Sequence, residues 1–402
     1  THFGWSRFRA GQRPVVEAVL SGRDALAVLP TGGGKSLCYQ LPALIRGGLV
    51  VVISPLVALM EDQVLQLRRR GIAAACLHAG LDPARRQQAM AALRDESLRL
   101  LYLAPERLQG EATQRLLETH AAEGRLVALA VDEAHCISAW GHDFRPDYRR
   151  LGLIRRLCPG VPMLALSATA APRVRADILR LLDLRSPLVQ VSSARRENLR
   201  YAMQRRPRDP MPQVLEALEQ SRGATLIYAR TRRSVEHWAE RLQGQSVEAT
   251  PYHAGLDPAT RQTALTQFLE QERPVLVATV AFGMGVDRGD VGLVLHLDLP
   301  STPEGYLQES GRAGRDGQPA RCLVLFSPGD RTSLGWAMQA AAGRGSNPDE
   351  RHRLDLAQQQ LRRMEAVAEG EMCREQALLL AVGELVDPCG RCVRCSASPK
   401  RK

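Results

Sequence analysis

The chain alternates between short, nearly continuous apolar runs and stretches in which apolar residues recur at helical spacing. Such runs, separated by helices, predict strands of a parallel sheet that is covered on both faces. In the first half the predicted strands are residues 25–29, 49–53, 74–77, 98–103, 126–131 and 161–166. In the second half they are residues 224–228, 275–278, 293–297 and 321–326. The pattern therefore predicts an α/β protein with two successive sheets.

One ten-residue segment occurs twice. Residues 78–87 read His-Ala-Gly-Leu-Asp-Pro-Ala-Arg-Arg-Gln, and residues 253–262 match them at nine of ten positions. Asp followed by Pro is a helix start, with Asp as N-cap and Pro at the first helical position. A reused turn and cap would explain Asp-Pro alone, whereas nine identities indicate two domains of similar topology.

The composition predicts where these domains end. We expect a first domain over residues 1–194 and a second over residues 195–330, with the Arg- and Pro-rich stretch 195–212 as the connector. Residues 331–402 are predicted to be helical, and apolar positions spaced through 351–369 suggest one arm of a helical hairpin.

A glycine-rich turn lies between the first predicted strand and a helical pattern. It reads Leu-Pro-Thr31-Gly32-Gly33-Gly34-Lys35-Ser36 and suits a loop whose backbone N–H groups surround phosphate oxygens. Lys35 would reach the β- and γ-phosphates of a bound nucleotide, and the Ser36 hydroxyl would bind Mg²⁺. Leu29 replaces the first Gly of the strict pattern, so a turn that only caps a helix is the alternative.

The use of lysine supports the phosphate interpretation. Of 54 basic residues only three are Lys, and Lys35 is the one that lies before the C-terminal tail. A compact ammonium fits a phosphate cradle in which a forked guanidinium would not.

Two adjacent carboxylates follow the predicted strand 126–131. In Asp132-Glu133-Ala134-His135, Asp132 would hold Mg²⁺ and Glu133 would polarise the attacking water. The carboxyl end of a parallel strand is where open α/β sheets bind ligands. An acidic helix start is the alternative.

Aromatic residues concentrate directly after this motif, although they make up only 4% of the chain. Trp140, Phe144 and Tyr148 are spaced four residues apart and alternate with basic residues that include His142 and Arg145. Aromatic and basic residues together suit base stacking and phosphate contact in a nucleic-acid site. The spacing is also that of a helix face in the core, but an intervening Gly and Pro argue against a helix.

Four cysteines cluster near the C-terminus, at Cys373, Cys389, Cys392 and Cys395. Four thiolates with two-residue spacings predict a closed structural Zn²⁺ site. A redox C-x-x-C pair, reactive free thiols and an iron–sulfur cluster are the alternatives. The other five cysteines occur singly and indicate buried thiols of a reduced cytosolic protein.

The net charge of +11 indicates a polyanionic partner, although dispersed arginines could equally form a solvated surface. No run of 18 apolar residues is present and the start does not resemble a signal peptide, so we expect no membrane span and a cytoplasmic protein.

Asp-Glu-Ala-His and several other segments together resemble superfamily 2 helicases and, more narrowly, the RecQ family. The matching segments are Phe8-Arg9-Ala10-Gly11-Gln12, Ser54-Pro55-Leu56-Val57-Ala58-Leu59-Met60, Ala104-Pro105-Glu106-Arg107-Leu108, Ser167-Ala168-Thr169, the stretch from Ala278 to Asp287, and Gln308-Glu309-Ser310-Gly311-Arg312-Ala313-Gly314-Arg315-Asp316-Gly317. In this family Ser-Ala-Trp-Gly-His-Asp-Phe-Arg-Pro is similar to an aromatic-rich loop that couples DNA binding to ATP hydrolysis.

The resemblance implies two tandem RecA-like domains followed by a small helical zinc-binding subdomain. It implies an ATP- and Mg²⁺-dependent DNA helicase that moves 3′→5′ on single-stranded DNA and unwinds tailed duplexes in repair and recombination. It further implies a nucleoid-associated bacterial-type protein that acts as a monomer, with single-stranded-DNA-binding protein as a partner. Many RecQ-like proteins continue into a winged helix that this sequence does not include, so unwinding strength and DNA preference stay open.

The resemblance also assigns residues. Gln12, with Phe8 and Arg9, would bind the adenine, and His135 and Gln308 would join the catalytic set. Arg312 and Arg315 would reach the γ-phosphate across a cleft between the domains, although Gly-Arg-Ala-Gly-Arg could instead be a solvated basic turn. An RNA-directed or translocase-only ATPase and a non-catalytic nucleic-acid-binding scaffold are the alternative functions.

Overall fold

A computed structural model describes residues 2–4, 6–141, 143–280, 282, 288–341 and 348–397. The chain divides into two compact units, Thr1–Ala194 and Arg195–Lys402. Each unit is built around one parallel β-sheet, as the apolar runs predict.

The first unit holds a seven-stranded sheet in the order β3-β4-β2-β5-β6-β1-β7. Its strands are β1 (Ala25–Val28), β2 (Leu49–Ile53), β3 (Ala74–Leu77), β4 (Leu100–Leu103), β5 (Leu126–Val131), β6 (Met163–Ser167) and β7 (Leu188–Val191). Its helices are α1 (Gln12–Leu20), α2 (Leu37–Arg46), α3 (Val57–Arg69), α4 (Pro83–Arg94), α5 (Glu111–Ala122), α6 (Gly152–Leu157) and α7 (Pro172–Leu181).

Helices cover both faces of this sheet, which explains why its strands read as continuous apolar runs. In β2, Leu49, Val51 and Ile53 join the core on one face, while Val50 and Val52 join the core on the other. Successive side chains of a strand point to opposite faces, so a strand buried on both sides needs apolar residues throughout.

The second unit holds a six-stranded parallel sheet in the order β10-β11-β9-β12-β13-β8. Its strands are β8 (Leu199–Arg205), β9 (Ala224–Tyr228), β10 (Ala249–Tyr252), β11 (Val275–Ala278), β12 (Val291–His296) and β13 (Ala320–Phe326). Its helices are α8 (Met211–Glu219), α9 (Arg232–Gln243), α10 (Pro258–Glu270), α11 (Pro303–Ser310), α12 (Pro328–Ala341), α13 (Pro348–Glu369), α14 (Arg374–Ala381) and α15 (Val393–Ala397).

The repeated segment occupies matching places in the two units. It follows β3 in the first and β10 in the second, and it begins α4 and α10. The carboxylates of Asp82 and Asp257 accept hydrogen bonds from the backbone N–H groups of Arg85 and Thr260, at 2.9 and 3.0 Å. The predicted caps and the predicted similarity of topology are both confirmed.

The prediction that residues 195–212 form only a connector is wrong. Residues Leu199–Arg205 form β8, which pairs along its whole length with β13. The strand was not predicted because Arg200, Gln204 and Arg205 interrupt its apolar pattern, which an edge strand exposed on one side tolerates.

The predicted C-terminal helices are present, and α13 extends from Pro348 to Glu369. Leu361, Met364 and Val367 are buried, as their spacing predicts. Within the described part of the chain, no helix has both the length and the apolar character needed to cross a membrane.

Candidate nucleotide and nucleic-acid sites

The glycine-rich turn lies at the carboxyl edge of the first sheet, between β1 and α2. The backbone N–H of Leu29 donates to the Ser167 carbonyl at 3.0 Å, which joins the turn to the end of β6. Gly32 and Gly34 have φ values of 78° and 76°, a left-handed conformation that side chains disfavour. A Cβ at Gly34 would lie 2.3 Å from Nε2 of Gln12, so this position requires glycine.

Gln12, the residue expected to bind adenine, contacts the same turn. Its Nε2 donates to the carbonyls of Gly33 and Gly34 at 3.1 and 3.0 Å, and its Oε1 accepts from the Arg9 backbone N–H at 2.7 Å. The Arg9 guanidinium donates to the Gly32 carbonyl. These contacts bring residues 9–12 and the phosphate turn together, and adenine recognition stays a prediction.

A cavity of about 200 Å³ adjoins this contact. It is lined by Ser6, Arg7, Arg9, Gln12 and Gly34, so polar groups converge on a concave surface, as is typical of a ligand site. Phe8 is 41% exposed but does not line this cavity, and its contact with adenine stays a prediction.

Asp132 follows β5 and is buried at the same edge of the sheet. Its backbone N–H donates to the Ile53 carbonyl at 2.8 Å, and the Tyr148 hydroxyl donates to its carbonyl at 2.9 Å. Burial raises the pKa of Asp132 to about 7, with a further increase from the Glu133 charge and an opposing effect of Lys35. The charge of Lys35 thus favours the ionised form of this carboxylate, as it would in a shared phosphate and Mg²⁺ site.

The raised pKa of Asp132 predicts how Mg²⁺ binding depends on pH. A carboxylate must lose its proton to bind the metal, so below pH 7 the apparent Mg²⁺ affinity should fall about tenfold per pH unit. Above that pH it should level off. Calorimetric titration of Mg²⁺ with bound nucleotide at pH 6, 7 and 8 measures this. In Asp132→Asn most of the affinity should be lost, and only the weaker pH dependence that comes from the nucleotide phosphates should remain; the same pH dependence in the parent chain and in Asp132→Asn would contradict the prediction.

Glu133 and His135 connect the acidic motif to the end of β6. Glu133 has φ 47° and ψ 45°, a left-handed backbone that is uncommon for a residue other than glycine. Nδ1 of His135 lies 3.1 Å from the Ser167 hydroxyl and 3.3 Å from Oε2 of Glu133. The Ser167 hydroxyl in turn donates to the Thr169 carbonyl at 2.6 Å. One polar network therefore joins the two predicted motifs, Asp-Glu-Ala-His and Ser-Ala-Thr.

The aromatic segment packs directly on this network. Its Gly141 comes so close to the acidic motif that a Cβ there would lie 2.3 Å from the His135 carbonyl oxygen. Gly141 N–H donates to the Ser138 carbonyl at 2.9 Å, and the Ser138 hydroxyl donates to Asp177 at 2.7 Å. A displacement of the loop would therefore act on His135 through backbone contacts.

The loop residues differ in exposure. Trp140 is half-buried, and the guanidinium carbon of Arg173 lies 3.8 Å from its ring centroid. Phe144 is also half-buried, 5.1 Å from the guanidinium carbon of Arg149. Arg145 pairs with Asp143 at 3.0 Å and donates to the Pro55 carbonyl at 2.9 Å, so its guanidinium joins the loop to the segment between β2 and α3. His142 lies outside the described residues.

The prediction that Tyr148 contacts nucleic acid is wrong. Its side chain is fully buried, and its hydroxyl donates to the Asp132 carbonyl. A ring without exposed surface cannot stack on a base, so Tyr148 supports the acidic motif from the core and is not a nucleic-acid contact in this structure. The helix-face interpretation of the spacing was correct for this one residue, although the segment around it contains 3₁₀ turns and no α-helix.

The arginine motif of the second unit follows α11. Arg312 is only 7% exposed and lies beside the buried Tyr228, whose pKa its charge lowers against the dominant effect of burial. Arg315 is half-buried, as is Gln308 on α11. Gly314 turns the chain with φ 52°, and its N–H donates to the Val291 carbonyl at 2.9 Å. The motif is thus a tight turn anchored at the start of β12.

The four C-terminal cysteines converge on one point. Their sulfur atoms all lie within 4.8 Å of one another, and the contacts of Cys392 with Cys395 and Cys373 measure 3.5 and 3.8 Å. A tetrahedral Zn²⁺ with Zn–S bonds of about 2.3 Å places its sulfur ligands about 3.8 Å apart. Burial acts to raise the pKa of Cys392, but backbone N–H groups of Arg374 and Cys395 lower it to about 7. The residues therefore fit a four-thiolate zinc site.

Several contributors to these sites were not predicted. Arg173, Asp177 and Tyr228 come from elements far along the chain from the groups they contact. Of these three, only Arg173 could have been suspected from the sequence, because it lies in the first turn of the helix that follows the Ser-Ala-Thr motif.

Comparison with known proteins agrees with this geometry. The model of the DEAD/DEAH box helicase family matches residues 9–178, and the model of the helicase conserved C-terminal domain matches residues 209–317. The chain is 39% identical over 401 residues to the ATP-dependent DNA helicase RecQ of Haemophilus influenzae, covering 99% of this chain and 63% of that protein. It is 40% identical over 336 residues to the probable ATP-dependent DNA helicase RecS of Bacillus subtilis, covering 82% of this chain and 66% of that one.

Among solved structures, the helicase Lhr of Mycobacterium smegmatis bound to single-stranded DNA and AMP-PNP superposes with a TM-score of 0.62. It is 21% identical and the match covers 83% of this chain and 47% of that one, which supports the fold alone. The present chain thus spans somewhat less than two thirds of the Haemophilus relative. With both helicase domain models matched in order and nearly the whole chain aligned to RecQ proteins, the chain belongs to the RecQ family of superfamily 2 helicases.

Proposed function

We propose that this chain hydrolyses ATP with Mg²⁺ and uses the free energy to move 3′→5′ along single-stranded DNA and unwind duplexes. The observation that carries the proposal is the contact between three elements at one sheet edge. The phosphate turn is bonded to Ser167, Ser167 to His135, and the His135 carbonyl lies against Gly141 of the aromatic loop. A phosphate site and an aromatic loop that share a polar network suit a nucleic-acid-stimulated ATPase.

Each residue at this edge has a role in the proposed reaction. Lys35 and the backbone of residues 31–34 would hold the phosphates, while Ser36 and Asp132 would bind Mg²⁺. Glu133 would orient and polarise the attacking water, and His135, bonded to Ser167, would keep Glu133 in place. Gln12 and Arg9 would bind the adenine. Their hydrogen bonds to the carbonyls of the phosphate turn would link adenine binding to the position of that turn.

We also propose that Gln308, Arg312 and Arg315 take part in hydrolysis. The transition state of phosphoryl transfer spreads negative charge over the γ-phosphoryl oxygens, and a guanidinium stabilises that charge. The half-buried Arg315 is the better candidate to touch the phosphate, because Arg312 is buried beside Tyr228.

A monomer suffices for this function, because one chain carries both the phosphate turn and the arginine motif. Action on nucleoid DNA together with single-stranded-DNA-binding protein is part of the proposal and rests on the family resemblance.

ATPase rates with and without single-stranded DNA, followed by unwinding of 3′- and 5′-tailed duplexes, test the proposal. We expect stimulation by single-stranded DNA and unwinding from the 3′ tail. Stimulation by RNA alone would indicate an RNA-directed enzyme, and stimulation without unwinding would indicate a translocase. Absence of hydrolysis under every condition would support the remaining alternative, a non-catalytic nucleic-acid-binding scaffold.

Replacement of Lys35 by alanine should separate catalysis from DNA binding. Removal of the ammonium deprives the developing phosphate charge of one preorganised partner, so kcat should fall by about 10²- to 10³-fold. The affinity for single-stranded DNA, measured by fluorescence anisotropy without nucleotide, should be unchanged. Undiminished hydrolysis by Lys35→Ala would show that the phosphate turn is assigned wrongly.

Replacement of Trp140 by alanine should uncouple ATP hydrolysis from DNA. One aromatic stack on a base contributes about 1–3 kcal/mol, so binding of single-stranded DNA should weaken about 5- to 150-fold, and the DNA-stimulated rate should fall to the basal rate. The exposed Trp336 on α12 offers a matched control, and Trp336→Ala should retain full stimulation. An unchanged stimulated rate in Trp140→Ala would show that Trp140 serves packing against the core and not coupling to DNA.

A further inference from the structure

Residues 195–199, directly after the boundary between the two units, lie between the cysteine cluster and the arginine motif. The contact with the cysteine cluster is made by Arg391, which stands between Cys389 and Cys392. Its Nε donates to the Leu199 carbonyl at 3.1 Å, and its Nη2 donates to the Arg196 carbonyl at 3.2 Å. The loop that supplies three of the four thiolates is thus bonded to the backbone of this short segment.

The same segment contacts the arginine motif on its other side. Nη1 of Arg196 donates to the Gly311 carbonyl at 2.9 Å, and its Nη2 donates to the Gly314 carbonyl. Nδ2 of Asn198 donates to the carbonyls of Gly314 and Gln318, both at 2.8 Å. Gly311 directly precedes Arg312 and Gly314 directly precedes Arg315, so these bonds fix the turn that carries both arginines.

A buried carboxylate strengthens the connection to the cysteine cluster. Glu375, two residues after Cys373, is 1% exposed. Its Oε1 lies 2.5 Å from Nη2 of Arg391, and its Oε2 lies 3.6 Å from Nε of Arg195. A buried carboxylate needs paired partners, because an uncompensated charge in the interior costs several kcal/mol. Glu375 therefore joins the first residue of the segment to the cysteine loop.

The arginine motif depends on such outside support. Its turn contains two glycines within four residues, and Gly314 has a left-handed backbone. Glycines allow the backbone more conformations than other residues do. Hydrogen bonds from outside the turn are therefore needed to hold the turn in a single conformation. Burial lowers the pKa of Arg196, which is the mark of a guanidinium enclosed by protein. In such surroundings its bonds to the two carbonyls are stronger than they would be in water.

We propose that Arg391 and Arg196 are positioning residues that connect the four-cysteine site to the arginine motif. Through residues 195–199, the folded cysteine loop sets the position of Arg312 and Arg315 and thereby the rate of ATP hydrolysis. This inference rests on the proposed hydrolysis, but the physical connection that it asserts can be measured without ATP.

Three single variants test it, each compared with the parent chain. Arg391→Ala removes the contact with the cysteine loop and Arg196→Ala removes the contact with the motif. Arg394→Ala is the matched control, because Arg394 lies in the same cysteine loop and pairs with the exposed Glu371 at 2.9 Å. For each chain, zinc content, kcat, KM for ATP and amide hydrogen exchange over residues 311–318 are measured.

We expect one zinc per chain in all four proteins. In Arg391→Ala and Arg196→Ala, kcat should fall about 10- to 100-fold, the scale of a small misplacement of catalytic groups, while KM for ATP is unchanged. Exchange over residues 311–318 should become faster in both variants and stay as in the parent chain in Arg394→Ala. The double variant should be no slower than Arg196→Ala alone, because the two arginines act in series.

If Arg391→Ala does not fold, Arg391→Lys takes its place, since lysine keeps a charge for Glu375 but cannot span both carbonyls. Normal kcat and normal exchange in a variant that retains zinc would overturn the inference, as would a loss of zinc without any change over residues 311–318. If the parent chain does not hydrolyse ATP, the proposed function fails, and the exchange measurements alone then decide the connection.

Discussion

Arg315→Ala should lower kcat for ATP by about 10³- to 10⁵-fold, the range that a transition-state guanidinium contributes in phosphoryl transfer. KM for ATP and the affinity for single-stranded DNA should change little, because the residues proposed to bind the phosphates, the adenine and the DNA all belong to the first unit. Single-turnover hydrolysis with saturating single-stranded DNA measures the effect.

Arg321→Ala is the matched control for this loss. Arg321 belongs to the same unit, but its guanidinium donates at 2.7 Å to the exposed side chain of Gln220. Its kcat should equal that of the parent chain. A fall in Arg315→Ala below tenfold would remove Arg315 from the catalytic set and return Gly-Arg-Ala-Gly-Arg to the interpretation as a basic turn.

Removal of the metal from the cysteine cluster should unfold the C-terminal part of the second unit. Structural zinc bound to thiolates contributes apparent free energies of about 10–16 kcal/mol in small domains, and the sulfur atoms of the four cysteines lie within 4.8 Å of one another, where one ion would hold them together. Chelation, or Cys392→Ser, should expose residues 373–395 to proteolysis, and elemental analysis of the parent chain should find one zinc.

Cys76→Ser is the control for the cysteine substitution. Cys76 is a buried single thiol in β3, far along the chain from the cluster, and its replacement should leave the zinc content at one per chain. Iron in place of zinc would identify an iron–sulfur cluster, and full protease resistance after complete metal removal would show that the cluster is not structural.

The central strands of both sheets could be predicted from the sequence, whereas three others could not. The missed strands β7, β8 and β10 all lie at an edge of their sheet. An edge strand has solvent on one side and can carry polar residues or proline, as Arg200 in β8 and Pro251 in β10 show. Continuous apolar runs identify only strands that are covered on both faces.

The residues proposed to carry the chemistry of the candidate sites could be predicted from the sequence more readily than the residues that hold them in place. Lys35 and Asp132 can be proposed because local spacing defines the motifs that contain them, and the four cysteines predicted to form one site do converge. Arg173 over Trp140, or Arg196 on the arginine motif, contacts residues that are 33 and 115 or more positions away. No local pattern reports such pairs, and the Arg- and Pro-rich composition around Arg196 predicts only a connector.

The backbone of Glu133 has a consequence for how this chain evolves. A left-handed conformation costs roughly 1–2 kcal/mol in a residue with a side chain, and glycine would avoid that cost. Under the role proposed for Glu133, selection for hydrolysis would keep glutamate here although glycine would avoid this backbone strain. In a descendant without that selection, Gly or Asn would be expected at this position, so the residue found there would report on whether the proposed hydrolysis is retained.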